Sequence, residues 1–234
     1  MVSKILMTAL AAFLVSLTFV SAHAGSIFGE VRFADAPPKL PVIKVSKDQD
    51  YCGETLPNET YLIEPNGGGI KNVVVYIESA PVGKAADPVR ENFLYNDGCR
   101  YTPRVMAFHL GEKLKVKNND PKLHIPHGYL GERTVFNLSL PFKNTTIEAT
   151  SRIRQAGMMK IVCDTHAWML GFIHVFDHPF FAVTNDQGAF SIPDLPAGNY
   201  VLKALHEDGG TKSQQITIPE SGEIRIGFEF NRKP

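Results

Sequence analysis

Cys163, His166 and Met169 recur at every third position of the run Cys163-Asp164-Thr165-His166-Ala167-Trp168-Met169. A turn can aim the thiolate, the imidazole and the thioether at one point, and soft sulfur combined with imidazole nitrogen is a donor set that suits copper. Cys-x-x-His alone is a weak signal; Cys-x-x-His-x-x-Met between two strand-like stretches, 159–162 and 171–176, is a much stronger one. The competing reading is a buried core cysteine with an incidental His and Met. A site of this kind needs one more nitrogen ligand, supplied from elsewhere in the sheet. Trp168, the only tryptophan, lies between two of the candidate ligands and either shields the site or serves only as a structural aromatic.

The elements that would carry such a loop are strands. Residues 27–33 and 113–117 alternate apolar with polar or small residues, and Val73-Val74-Val75-Tyr76-Ile77 is a continuous apolar run. Each is bounded by turn formers such as Pro65-Asn66-Gly67-Gly68-Gly69 and Asn118-Asn119-Asp120-Pro121. The best helical pattern lies within 83–95. After His178-Pro179 the turns come at short, even intervals, which indicates a second, small β-sandwich over 179–234. The chain is therefore expected to be all-β, with an N-terminal unit over 25–178.

The phrase Val-Thr-Asn-Asp-Gln-Gly-Ala-Phe-Ser-Ile-Pro-Asp-Leu-Pro-Ala-Gly-Asn-Tyr-Val-Leu, from Val183 to Leu202, resembles the carboxypeptidase regulatory-like (transthyretin-like) module. Over about residues 85–177 the strand at 113–117, the Asn-rich turn, a following histidine and the Cys-His-Met loop together resemble the cupredoxins. The short loop is most similar to plastocyanin and amicyanin, and the two-unit arrangement to methylamine-utilisation-type periplasmic proteins. The resemblance implies a Greek-key β-sandwich holding one copper ion, with nitrogen from His124 and His166, thiolate from Cys163 and a long axial bond from Met169. Many cupredoxins carry Asn directly after the first histidine, where it ties the ligand loops together; here that residue is Ile125, followed by Pro126 and His127. Either His124 or His127 can be the ligand; the Asn-Asn spacing favours His124, leaving His127 as a rim or supporting group.

The remaining cysteines have no ligand-type neighbours. Cys52 and Cys99 each adjoin glycine at a turn, and a bridge between them would stabilise the fold by about 4 kcal/mol on a chain-entropy account. The alternative is two unpaired buried thiols. Disulfides persist outside the cytoplasm, and the N-terminus points the same way. Lys4 precedes a stretch, 5–20, that is apolar except for Thr8, Ser16 and Thr18, and Ala22-His23-Ala24 is a small-x-small cleavage signature. Residues 1–24 are thus expected to be a secretory signal, leaving a periplasmic or secreted protein with no stable membrane insertion.

The whole chain of 234 residues balances 24 Lys+Arg against 24 Asp+Glu. That balance excludes a typical nucleic-acid binder, whose phosphate contacts demand a basic excess. With no paired-carboxylate or Ser-His-Asp signature, the expected role is electron carriage between transient redox protein partners rather than catalysis, with docking at an exposed edge of His166. Two other readings stay open: copper storage, delivery or sensing, and a structural or glycan-binding β protein with a degenerate site.

Overall fold

The computed structural model describes residues 24–81 and 89–232. Residues 1–23 of the expected leader lie outside the described residues. In chain order the strands are β1 (Ala24–Phe33), β2 (Ile43–Lys44), β3 (Thr55–Leu56), β4 (Val74–Glu78), β5 (Glu91–Asn96), β6 (Tyr101–Thr102), β7 (Val105–His109), β8 (Lys113–Asn118) and β9 (Pro126–Leu130). They continue with β10 (Arg133–Asn137), β11 (Thr146–Glu148), β12 (Gly157–Cys163), β13 (Leu170–Phe176), β14 (Phe181–Val183), β15 (Ala189–Pro196), β16 (Gly198–His206), β17 (Gly210–Ile218) and β18 (Gly222–Phe230). A single-turn helix, α1 (Gln49–Cys52), lies between β2 and β3. The fold is all-β. Part of the stretch proposed as helix, 83–95, is strand β5 instead, since Leu94 and Asn96 turn inward beside β8. Among the described residues no helix is long and apolar enough to cross a membrane.

Two hydrophobic cores organise these strands. The first is enclosed by the sheets β10-β9-β12-β13-β7 and β11-β8-β5-β6. Its construction follows the period of two: Leu114, Val116 and Asn118 of β8 face inward, as do Met159, Ile161 and Cys163 of β12. Burying a side chain such as Ile161 contributes about 1.5–3 kcal/mol, and the same alternation that buries it puts Cys163 on the inner face.

The second core is enclosed by the sheets β15-β1-β18 and β14-β4-β16-β17. Its strands come from both ends of the chain. β1 lies antiparallel to β15 and parallel to β18, and β4 lies between β14 and β16. The expected N-terminal unit over 25–178 includes β1, but hydrogen bonding assigns this strand to the C-terminal strands. A division at residue 178 therefore follows chain order but not packing. The cores are joined by a bidentate ion pair, Arg104 Nε and Nη2 each donating to Glu207 at 2.6 Å, with both side chains largely buried.

Candidate metal centre

Asn118, the last inward residue of β8, shapes the loop that carries His124. Its Nδ2 donates to the carbonyls of Lys122 at 2.8 Å and Leu140 at 3.0 Å, while its Oδ1 accepts the Asp120 N–H at 2.9 Å. His124 then exchanges backbone hydrogen bonds with Leu140 and leaves its ring fully buried. The second loop follows β12 as two successive turns: the His166 N–H donates to the Cys163 carbonyl at 3.3 Å and the Met169 N–H to the His166 carbonyl at 3.0 Å. Backbone geometry thus converts the three-residue spacing into convergence.

The two loops are tied without a side-chain amide. The Ile125 N–H donates to Cys163 Sγ at 3.4 Å, the Asp164 N–H donates to the Ile125 carbonyl at 3.1 Å, and Thr165 Oγ1 lies 3.1 Å from both Cys163 Sγ and the Leu123 carbonyl. The tie that the family resemblance gives to Asn is made here by the backbone and Thr165.

Three donor atoms meet between the loops. His124 Nδ1 and His166 Nδ1 are 3.0 Å apart, and they lie 3.9 and 3.8 Å from Cys163 Sγ. The point equidistant from the three is about 2.1 Å from each, close to ordinary metal–imidazole and metal–thiolate bond lengths. The other ring nitrogens explain why both Nδ1 lone pairs are free to face that point. His124 Nε2–H donates to Asp120 Oδ2 at 2.9 Å, and His166 Nε2–H donates to Asp48 Oδ2 at 3.0 Å. Each carboxylate fixes one tautomer, an arrangement typical of metal-ligating histidines. The residues present thus fit a metal ion, with two neutral imidazoles and a thiolate.

Electrostatics favour the thiolate. Burial alone would push the Cys163 thiol up, but in the metal-free protein contacts with His124 and His166, when their Nδ1 atoms carry the proton that a metal would replace, together with Thr165 and the Ile125 N–H, outweigh it and hold it at about 5. Burial would likewise push Asp120 up, yet contacts from His124, the Cys99 and Gly98 N–H groups and Tyr51 hold it at about 2. For His124, burial pulls the ring down, but Asp120 and Cys163 more than offset this and raise it.

The remaining sequence candidates fall into place around this triangle. Met169 is buried in the first core directly after the His166 turn. Trp168 stands with its ring 5.0 Å from that of His166 and donates its Nε1–H to the Cys99 carbonyl at 3.1 Å. His127 is on the outer face of β9, between inward-facing Pro126 and Gly128. Its Nδ1 lies 3.1 Å from Asp164 Oδ1 and 2.8 Å from the Tyr129 hydroxyl, and its Nε2 lies 2.9 Å from Thr134 Oγ1. Both nitrogens are engaged away from the donor triangle. Cys52 and Cys99 form a disulfide with a Cα–Cα distance of 5.6 Å, packed against Trp168.

One expectation is overturned. His166 has no exposed edge, because its side chain is fully buried and Asp48 closes the Nε2 side. Sequence reasoning also missed Asp48 and Asp120 as supporting groups. Asp120 stands four residues before His124 and could have been noticed; Asp48 is 118 residues from His166 and carries no local signal.

No family model matches the chain, and no curated protein sequence is similar to it. Among solved structures, a Cu-containing nitrite reductase from Thermus scotoductus SA-01 is similar at 20% identity over 42% of this chain, with a TM-score of 0.34. The similarity takes in 24% of that enzyme's chain. A reduced mutant of amicyanin and a purple cupredoxin from Nitrosopumilus maritimus are each 18% identical, covering 44% and 36% of this chain and 98% of their own, with TM-scores of 0.33 and 0.32.

Proposed function

We propose that this chain is an extracytoplasmic type 1 copper protein that carries single electrons between redox partners. The observation that carries the reading is the convergence of His124 Nδ1, His166 Nδ1 and Cys163 Sγ within a triangle of 3.0, 3.8 and 3.9 Å. A trigonal nitrogen–nitrogen–thiolate set with a weak axial sulfur suits copper in both oxidation states, and Met169, next in the three-residue spacing of the loop, would be the residue to supply that sulfur. Bound copper would supply a one-electron Cu(I)/Cu(II) couple.

The protein's own part is to hold the donors still. Each imidazole is pinned at its far nitrogen by a carboxylate, the thiolate accepts the Ile125 N–H, and the two loops are tied to each other. All three donor residues are buried, which supports retention of the metal over its delivery to another protein. The disulfide supports an oxidising compartment.

Titration of the purified protein with Cu(II) tests the proposal. An intense visible thiolate-to-copper band is expected, absent in Cys163→Ser, and a colourless wild-type complex would sink the type 1 assignment. Rapid, reversible one-electron reduction and reoxidation at an electrode with slow copper loss to a chelator is expected of a carrier; the reverse pattern would identify a delivery protein.

A further inference from the structure

The two carboxylates that pin the imidazoles come from different places. Asp120 belongs to the same loop as His124. Asp48 belongs to the segment 43–56, whose strands β2 and β3 pair only with each other, outside the sheets of both cores. We infer that this segment is a built-in cap over the metal centre, and that Asp48 is the positioning residue that holds His166 by its Nε2 edge. The inference rests on the copper reading above and names the face of the site through which electrons do not pass.

The cap is fastened at several points, each close to the site. Cys52 bonds to Cys99, and the Tyr51 hydroxyl donates to Asp120 Oδ1 at 2.9 Å. Lys122, two residues before His124, contacts Asp50 at 2.6 Å and Asp48 at 3.5 Å. These contacts set Asp48 on His166. Asp48 starts α1 in a left-handed backbone conformation, φ 53° and ψ 34°, with its carbonyl accepting the N–H groups of Tyr51 and Cys52. A non-glycine residue adopts that region at some cost, and the structure around it holds it there.

Three consequences follow from a carboxylate at Nε2. It fixes the ring with Nδ1 as the free lone pair, and the hydrogen bond is charge-assisted. It adds negative charge beside the metal, which favours the more positive oxidation state. It also covers the imidazole edge that a partner, or a second copy of the protein, would otherwise touch to pass one electron from Cu(I) on one molecule to Cu(II) on the other.

Asp48→Asn, which keeps the shape, and Asp48→Ala, which removes the contact, separate these effects. Asp50→Asn, on the same segment but paired only with Lys122, is the control. In the metal-free full chain, nitrogen NMR should show a slowly exchanging His166 Nε2–H in wild type and Asp50→Asn, and loss of that protection in Asp48→Ala. In the copper-loaded protein the visible band should persist in all three variants. The reduction potential should rise in both Asp48 variants by more than in Asp50→Asn, and self-exchange should quicken at least tenfold in Asp48→Ala. Unchanged Nε2–H protection in metal-free Asp48→Ala, or a potential and exchange rate that do not separate the Asp48 variants from Asp50→Asn, overturns the cap. A wild-type protein without the visible band would instead defeat the copper reading, while the metal-free measurement still decides the Asp48 contact.

Discussion

Asp120 and His124 form a carboxylate–imidazole pair with no solvent exposure on either side chain, Oδ2 to Nε2 at 2.9 Å. The same carboxylate accepts the N–H groups of Gly98 and Cys99 at 2.8 and 2.9 Å, so it links the ligand loop to the disulfide turn.

Replacing Asp120 should therefore act on metal affinity and on stability together. Asp120→Ala leaves two backbone N–H groups without their acceptor, each worth about 1–3 kcal/mol, and frees the His124 ring. We expect metal affinity to fall about 10–100-fold, the usual effect of losing such a partner. Asp120→Asn, which can still accept hydrogen bonds, should lose less of both. Chelator competition reads the affinity and urea unfolding of the metal-free protein reads the stability; affinity within twofold of wild type in Asp120→Ala would show that His124 needs no partner.

Met169 is buried at the end of the His166 turn. If its sulfur is the axial ligand, Met169→Gln replaces it with a harder oxygen and lowers the reduction potential while copper stays bound. Met169→Leu, which offers no donor, should raise it. Voltammetry of the three proteins decides: equal potentials would make Met169 a core residue only.

Arg104 and Glu207 join the two cores through paired hydrogen bonds of 2.6 Å, with Arg104 Nη1 also reaching the Leu170 carbonyl at 3.3 Å. Truncating one partner of a buried pair strands the other charge, so Glu207→Ala should cost about 3–5 kcal/mol. The double variant Arg104→Met/Glu207→Leu should recover most of that loss, because removing both charges also removes their desolvation cost. Urea unfolding followed by Trp168 fluorescence measures both; a single variant within 1 kcal/mol of wild type, on the order of an exposed pair, would show that the bridge contributes little.

How much of this was legible in the sequence depends on the reach of each contact. The alternation in β8 and β12 and the three-residue spacing of Cys163, His166 and Met169 are local patterns, and they predict strands and a converging loop. The spacing from the Asn-rich turn already favours His124, and the period of two adds that His127 turns outward on β9. The parallel pairing of β1 with β18 joins opposite ends of the chain, and neither strand carries a residue pattern that names its neighbour. Asp48 is hidden for the same reason. An acidic residue in a polar segment reads as solvated until the disulfide and Lys122 bring it to His166. Residues 83–88 of the stretch expected as helix lie outside the described residues; over the rest the pattern misled because β5 is short and only its Leu94 and Asn96 turn inward.

His174, on the face of β13 opposite the core residues Ile173 and Val175, offers a test that does not involve the metal site. It lies on β13, paired with Met158 and Ala107, and is almost entirely buried. Burial alone pushes its imidazole down to about 4, whereas an exposed histidine titrates near pH 6.5. With the folded value below the unfolded one, the neutral ring's contribution is fully present above about pH 6.5 and is lost as pH falls through about 4. The gap corresponds to about 3 kcal/mol once the pH is below both values. His174→Leu removes that proton uptake and leaves every other titrating group in place. Between pH 7 and pH 4, metal-free wild type should therefore lose up to about 2–3 kcal/mol more stability than His174→Leu in urea unfolding. Parallel stability profiles for the two proteins would show that His174 titrates as an ordinary exposed histidine.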